Sequence, residues 1–357
     1  MTTPQPVRFL LLAFLALLLP ACGGSDEPTV VLYCGVDQDQ SRRIGDLFQQ
    51  QTGVKVDYHG ETEAMRSIGL PQRLMDERER PRGDVYWSNE IMHMVKLARS
   101  GIIAPLPKGA ADKFPESWRD PNGRFISFGA RARVFLVNKD LLPDPKDWPT
   151  KVEDLLDPKY AQMGFTTSMA EPLTGTTYTH AVALLTRNED RAKDFFKAVA
   201  DAREKGTMKV VSSNGRVMRL VADKNEKVAF GLTDTDDSFI ALTEKNPNLA
   251  LVYPDGHAEG IGTVLLPNTV GLVKGGPNPK EGARLLRWLV SPLVEEELAK
   301  SRSAQIPLRP GVPIPDDDRL KWRPGEDFKV MEIDWDEVGK NADTWRDWLV
   351  RLFKPAN

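Results

Sequence analysis

Hydrophobic and polar positions along this chain alternate between two periods, and the switches between them mark the elements. Thr29–Tyr33 is a β-rich apolar run, too continuous for a strand with one wet face. Gln38–Gln51 puts Ile44, Leu47 and Phe48 on one helical face. It ends at Thr52-Gly53, a C-cap signal, and Val54–Tyr58 then alternates as a second strand. A helical stretch at Glu61–Arg80, interrupted at Gly69-Leu70-Pro71, leads to a third short strand at Asp84–Trp87. Strand, helix, strand, helix, strand predicts a parallel sheet with right-handed crossovers. Cys34-Gly35-Val36-Asp37 is not G-x-G-x-x-G, which argues against a dinucleotide site after the first strand.

Glu90–Ser100 reads as a helix stopped by Gly101, and Phe125–Asn138 as a long strand broken at Gly129. Beyond the Pro- and Asp-rich stretch 143–158 a second set begins. It comprises a strand at Gly164–Thr167, a helix opened by Thr174-Gly175-Thr176-Thr177, a helix at Arg191–Lys205, a strand at Lys209–Val211 and a short helix at Arg216–Asp223. The buried strand Val228–Leu232 then runs into Thr233-Asp234-Thr235-Asp236-Asp237 before a helix-like Ser238–Thr243. Val264–Lys274 is a second long strand. Pro279 suits a helix N1 position, Glu281–Lys300 is amphipathic apart from Pro292, and Asp336–Phe353 closes the chain as a helix. The expected fold is α/β: two lobes joined by two crossing strands, with a ligand cleft between them that closes about a hinge. The expected division is 29–130 with 261–305 against 131–260 with 306–357.

The N-terminus changes the picture. Arg8 precedes the apolar run Phe9–Leu19, which ends in Leu19-Pro20-Ala21-Cys22 and a Gly/Ser stretch. This is the pattern of an export signal, and the run is too short to span a bilayer comfortably. A Cys directly after the small residue resembles the lipobox of bacterial lipoproteins. That resemblance implies a signal peptide over 1–21, lipid on Cys22, a tether over 22–28 and a cell-envelope location facing the periplasm. With Cys22 lipidated, Cys34 has no disulfide partner and reads as a small core residue. The 48 basic and 51 acidic residues leave a net charge of −3, which supplies no nucleic-acid footprint and no polybasic membrane patch.

Three carboxylates, Asp234, Asp236 and Asp237, follow a buried strand, where open α/β sheets hold their ligands. They form either a binding constellation or a solvated turn in which one aspartate caps the next helix. The histidines at 59, 93, 180 and 257 lack metal-ligand spacing, and His257 alone falls in a loop expected near the cleft. Tyr86 and Trp87 read as core. An acid/base or metal-assisted hydrolase would use the same aspartates, but neither G-x-S-x-G nor H-E-x-x-H occurs, and no catalysis is expected.

Taken in order, the stretches VVLYCGVDQD (30–39), GDVYWSNEI (83–91), GARARVFLVNKD (129–140), EPLTGTTYTHAVALL (171–185), VAFGLTDTDD (228–237), LLPNTVGLVKGGPNP (265–279) and SAQIPL (303–308) resemble the extracellular solute-binding proteins that feed ABC importers. The nearest group is the ferric-iron binders. The resemblance implies a type II periplasmic-binding-protein fold, a monomer, and an importer permease and ATPase as partners. In that group iron is typically held by adjacent tyrosines in the second lobe and by a His or Tyr and a Glu from the first. Here the tyrosine pair falls at Asp236-Asp237, the early ligand near Asp37, and the Glu at Asn89 with Glu90 beside it. Arg131 lies at the family's anion-binding arginine, and Thr174-Gly175-Thr176 matches its anion-binding loop.

A helix N-terminus exposes unpaired donors, and arginine adds a planar fork for carboxylate or phosphate. One wall is therefore expected to bind an anion, opposite the negative charge of Asp236, Asp237 and Asp37. The Thr174 helix start also reads as an ordinary N-cap, Asp37 as a helix cap, and Arg131 as an interlobe ion pair in which Arg133 plays the same part. The expected cargo is a metal ion with a synergistic anion, iron-type, held by Asp236, Asp237 and Asp37. The alternative is an organic zwitterion such as an aminophosphonate or a thiamine-like ligand. A tethered receptor that signals without transport also remains open.

Overall fold

The computed structural model describes residues 27–60, 69–244, 246 and 248–354. The expected signal peptide, Cys22 and most of the tether lie outside the described residues, as does the first part of the helix expected from Glu61. The first set of elements is β1 (Thr29–Cys34), α1 (Gln38–Thr52), β2 (Lys55–Gly60), α2 (Gly69–Asp76), β3 (Val85–Ser88), α3 (Ile91–Arg99) and β4 (Ile103–Ala104), leading into β5 (Phe125–Asn138). The second is α4 (Pro158–Gln162), β6 (Thr166–Ala170), α5 (Gly175–Arg187), α6 (Glu189–Glu204), β7 (Met208–Val211), α7 (Asn214–Ala222), β8 (Val228–Asp234), α8 (Thr235–Glu244) and β9 (Leu249–Val252). The chain returns through β10 (Leu265–Val273), α9 (Pro279–Leu289) and α10 (Pro292–Ala299), and ends on α11 (Trp335–Phe353).

The sheet order is β2-β1-β3-β10-β5-β8-β6-β7, with β4 beside β10 and β9 beside β5. Each set keeps the parallel crossover pattern: β1 pairs β2 and β3 in parallel, and β6 does the same with β7 and β8. The two sets share β5, all fourteen residues of which are buried. Phe125–Ala132 pairs antiparallel with β10, and from Arg133 onward the strand pairs with β8. Gly129 does not break this strand, as its residue type suggests, but bends it. Its φ is +46°, and a Cβ there would meet Leu298 Cδ1 at 3.0 Å and Gln305 Oε1 at 3.2 Å. The bend coincides with a register shift at Pro267/Asn268 on β10. Buried Glu295 fixes it by accepting from the backbone N–H groups of Gly129 (2.7 Å), Leu308 (2.9 Å) and Arg309 (2.9 Å).

Two expected boundaries move, each for a local reason. Pro292 splits the amphipathic run into α9 and α10 by sitting at a helix start. α8 begins at Thr235 rather than Ser238, which places Asp236 and Asp237 inside a helix rather than in a turn.

Separate apolar cores back the two sets, one built on Val30, Leu32, Trp87, Phe128 and Leu286, the other on Phe135, Phe196, Phe230 and Leu232. Trp345, Leu349 and Phe353 of α11 pack into the second core, Tyr86 and Trp87 are buried, and Cys34 is a fully buried core residue. Gly231 lets α7 lie directly on β8: a Cβ there would fall 2.4 Å from Val217 Cγ1 and 3.0 Å from the Ser168 carbonyl. Gly231→Ala is therefore expected to lower stability by about 2 kcal/mol through overpacking, measured by urea denaturation. An unchanged midpoint would show that α7 does not depend on this contact.

Candidate functional site

The site is assembled where β8 meets β5. Antiparallel pairing sets Asp234 directly across from Arg133, so that one β8 carboxylate and one β5 guanidinium share a cross-strand position. Asp234 Oδ1 accepts from Arg133 Nη1 at 2.5 Å, and Oδ2 accepts from Thr176 Oγ1 at 2.6 Å and Asn214 Nδ2 at 3.0 Å. Arg133 also donates to Asn214 Oδ1 (3.2 Å), Thr176 Oγ1 (3.3 Å) and Thr177 Oγ1 (3.3 Å). The pair is shut away from solvent, with Arg133 at 0% and Asp234 at 3% exposure. Arg133 Nε finds no partner among the described residues.

Two residues back along β5, on the same face by strand periodicity, lies Arg131. Its Nη2 donates to the Asn89 carbonyl, and its Nη1 lies 3.8 Å from Asp236 Oδ2. β8 passes into α8 with no intervening loop, and Thr235 Oγ1 accepts from the Ala132 N–H at 3.1 Å, which ties that junction to β5. Asp236 and Asp237 thus occupy the first turn of α8, where the helix dipole favours negative charge. Asp236 Oδ1 accepts from the Asp237 N–H at 2.9 Å. Asp237 stands over the start of α7, since a Cβ on Gly215 would lie 3.4 Å from its Oδ1. One carboxylate oxygen each from Asp234, Asp236 and Asp237 lie within 4.8 Å of one another.

Crowding and burial set the protonation of this group. Burial pushes the Asp236 carboxyl up to about 6, against the opposing pull of Arg131. Burial, then the neighbouring charges of Asp236 and Asp234, push Asp237 up to about 8. Glu90 is raised by burial too. It caps α3 through its Met92 N–H contact and reaches across to α5, where Thr179 Oγ1 donates to its Oε1 at 2.8 Å. Its Oε2 has no partner among the described residues.

The expectation of an anion-binding wall facing a separate negative wall does not hold. Arg131 is paired with Asp236, and Arg133 with Asp234, because β5 and β8 are adjacent strands. Arg131 reaches the first set of elements through its hydrogen bond to the Asn89 carbonyl, whereas its ion-pair partner Asp236 belongs to the second set. Asp37 is exposed, makes no side-chain cap on α1 and is not among the clustered carboxylates, although its charge acts on Arg131 and Asp236. Asn89 contributes its carbonyl. Thr174 is the exposed N-cap of α5 without a side-chain cap bond, Gly175 takes φ +58°, and Thr176 alone of that trio meets Asp234.

Asn214, Thr177 and Thr179 carry no signal in the sequence that marks them for the site. Thr177 and Thr179 lie on α5, which follows β6, and Asn214 on α7, which follows β7, so only the strand order brings them together. His180 is buried and His93 half-buried, and both are held neutral, their pKa values lowered to about 3 and about 4 by desolvation, while His257 lies 3.4 Å from Glu259.

Chemically this is an all-oxygen donor set, suited to hard cations. Phenolate is absent from it: the hydroxyls of Tyr33, Tyr58, Tyr86, Tyr160, Tyr178 and Tyr253 pair with Glu77, Ser41, Ser88, the Asp147 carbonyl, the Ala342 carbonyl and the Lys321 backbone.

Comparison with known proteins gives three kinds of match. Residues 89–341 match the family model for bacterial extracellular solute-binding protein. The Salmonella typhi protein named "Putative 2-aminoethylphosphonate-binding periplasmic protein" is 25% identical over 295 residues, covering 82% of this chain and 81% of its own. Iron uptake protein A1 of Synechocystis is 24% identical over 317 residues, covering 83% of each. Iron-bound HitA from Pseudomonas aeruginosa superposes with a TM-score of 0.75 at 21% identity, over 90% of this chain and 99% of that one. This last likeness establishes the type II periplasmic-binding-protein fold.

Raised carboxylate pKa values mean that the folded state binds more protons than the unfolded chain between about pH 4 and pH 8. His93 and His180, neutral in the fold, oppose this below about pH 6.5, so without ligand the fall in stability is expected as pH rises from about 7 through about 8, where Asp237 titrates. Asp237→Asn is expected to flatten the upper part of the fall, read as melting temperature against pH. A wild-type profile that rises over this window would contradict the assigned burial.

Proposed function

This chain belongs to the bacterial extracellular solute-binding protein family, and we propose that it is the capture component of an ABC importer, closing on a small cation-bearing ligand at Asp236 and Asp237. The observation that carries this reading is the imbalance of charge at the start of α8. Asp236 has one arginine at 3.8 Å, and Asp237, crowded against it, is pushed up to about 8 by burial and like charge. Crowded carboxylates that resist giving up their protons are stabilised in the charged form by a cation that takes the protons' place.

The first reading of the ligand is a hard metal ion of the iron type with its charge-balancing anion, in line with the iron uptake protein and the iron-bound fold relative. Asp236 and Asp237 would hold the ion through carboxylate oxygens, in place of the tyrosines implied by the resemblance. The second reading is a zwitterion whose ammonium meets the same carboxylates, in line with the Salmonella relative. Closure would turn about β5 and β10, between a lobe of 29–130 with 261–305 and one of 131–260 with 306–357. Glu90–Thr179 and Arg131–Asn89 would be the contacts that join them. Ligand binding favours the closed state by its greater affinity for it. The protein works in the periplasm, performs no catalysis, hands its ligand to a permease and ATPase, and is held to the membrane by lipid on Cys22.

Calorimetric titration tests the site. Metals are titrated with and without phosphate or carbonate, and 2-aminoethylphosphonate in the presence of chelator. The double variant Asp236→Asn/Asp237→Asn is expected to weaken the bound ligand by about a hundredfold, roughly 3 kcal/mol for two lost charged contacts. Unchanged affinity would remove these residues from the site, and a heat signal from the phosphonate alone would establish the second reading. Cys22→Ala is expected to move the protein from the membrane fraction to the soluble periplasmic fraction; retention in the membrane would sink the anchor.

A further inference from the structure

We infer that the Asp234 carboxylate is a built-in anion, filling the seat that this site would otherwise offer to a free one, so that the cation is taken without a partner anion. The inference rests on the cation-binding reading above and departs from its first form in one respect, assigning the place of the charge-balancing anion to the protein itself. Strands β6, β7 and β8 lie side by side, and the helices that follow them, α5, α7 and α8, all begin at one end of the sheet. Helix starts gathered in this way present unpaired N–H groups and partial positive charge, a natural place for an anion. α5 keeps that character, because its N-cap Thr174 makes no side-chain cap bond. Arg133 adds a full positive charge at the same place, with no exposed surface and an Nε that no described residue satisfies.

The group occupying this place is Asp234. Its two oxygens take up the donors that a bound acetate or phosphate would use: Thr176 Oγ1, Asn214 Nδ2 and Arg133 Nη1. A carboxylate is acceptor-only, so every one of these contacts is of the required polarity. With its oxygens committed and 3% exposure, Asp234 is poorly placed to ligate a cargo, which leaves Asp236 and Asp237 as the open carboxylates. A free anion in the same seat would lie against the Asp234 charge in a dry setting, where like charges repel strongly. Asp234 is therefore a specificity determinant: it satisfies Arg133 from within and removes the anion requirement.

Two readouts test this on the full-length protein. Without metal and with chelator present, melting temperatures of wild type, Asp234→Ala and Asp234→Asn are measured in chloride, acetate and phosphate at equal ionic strength. Acetate and phosphate are expected to raise Asp234→Ala by several degrees more than wild type, since an anion that binds only the native state stabilises it. Asp234→Asn preserves the side-chain shape and guards against a variant too unstable to purify; with Arg133 unmet, it too is expected to gain more than wild type. In the second readout, wild type is titrated with Mn²⁺ in chloride, then with phosphate or carbonate added. Its affinity is expected to change by less than about twofold, whereas Asp234→Ala is expected to gain about tenfold on adding acetate.

The inference is overturned if neither variant gains more than wild type from the anions, or if wild type itself gains about tenfold in Mn²⁺ affinity from phosphate or carbonate. If wild type takes up no Mn²⁺, the metal reading of the cargo fails while the anion measurements without metal still decide the role of Asp234.

Discussion

The cross-strand pair of Arg133 and Asp234 is the constraint on which the rest of the site depends. Two charges buried together are costly to desolvate, and such a pair is favourable only when every remaining donor and acceptor is met. Thr176, Thr177 and Asn214 supply most of those partners from α5 and α7, leaving Arg133 Nε unmet among the described residues, so burying the pair constrains where both helices begin. The same pairing fixes the register of β5 on β8, and register in turn sets Arg131 beside Asp236. Had β8 slipped by one residue, Asp234 would point to the other face and Arg133 would be left buried and uncompensated.

Much of the fold can be read from the chain. The continuous apolar runs, the glycine stop after α1 and the length of β5 announce two α/β sets joined by crossing strands. Helix boundaries at Pro292 and Thr235 are less legible, because a proline signals both a break and a start. Aspartates likewise signal both a turn and a first helical turn. The carboxylate cluster is visible because its members are nearly contiguous. Its electrostatic partners are not visible, because Arg131, Arg133, Thr176 and Asn214 meet the aspartates only through strand order. That order places β5 beside β8, and β8 beside β6. A linear pattern holds no record of which strands are neighbours, and it therefore gives no sign that the arginines and the aspartates share a wall.

Arg131 and Glu90 show how the site can communicate with the overall shape. Both are buried, both touch residues across the shared strand, and both retain a polar atom without a partner among the described residues, Nε in one and Oε2 in the other. Unsatisfied buried groups of this kind destabilise the arrangement in which they occur. A ligand that offered them partners would favour one lobe arrangement over another through its differential contacts, as a population shift requires.

The direct passage of β8 into α8 has a consequence for selectivity. Because no loop separates the strand from the helix, Asp236 and Asp237 belong to the same rigid body as the β5 arginines. Their ligation geometry is preorganised, so little conformational entropy is lost on capture. The same stiffness limits adaptation: a carboxylate pair on one helical turn cannot spread to encircle a larger ion or contract around a smaller one. Discrimination by this receptor would then follow ionic radius and coordination number more than net charge, as it does wherever a fixed oxygen cage meets competing hard cations.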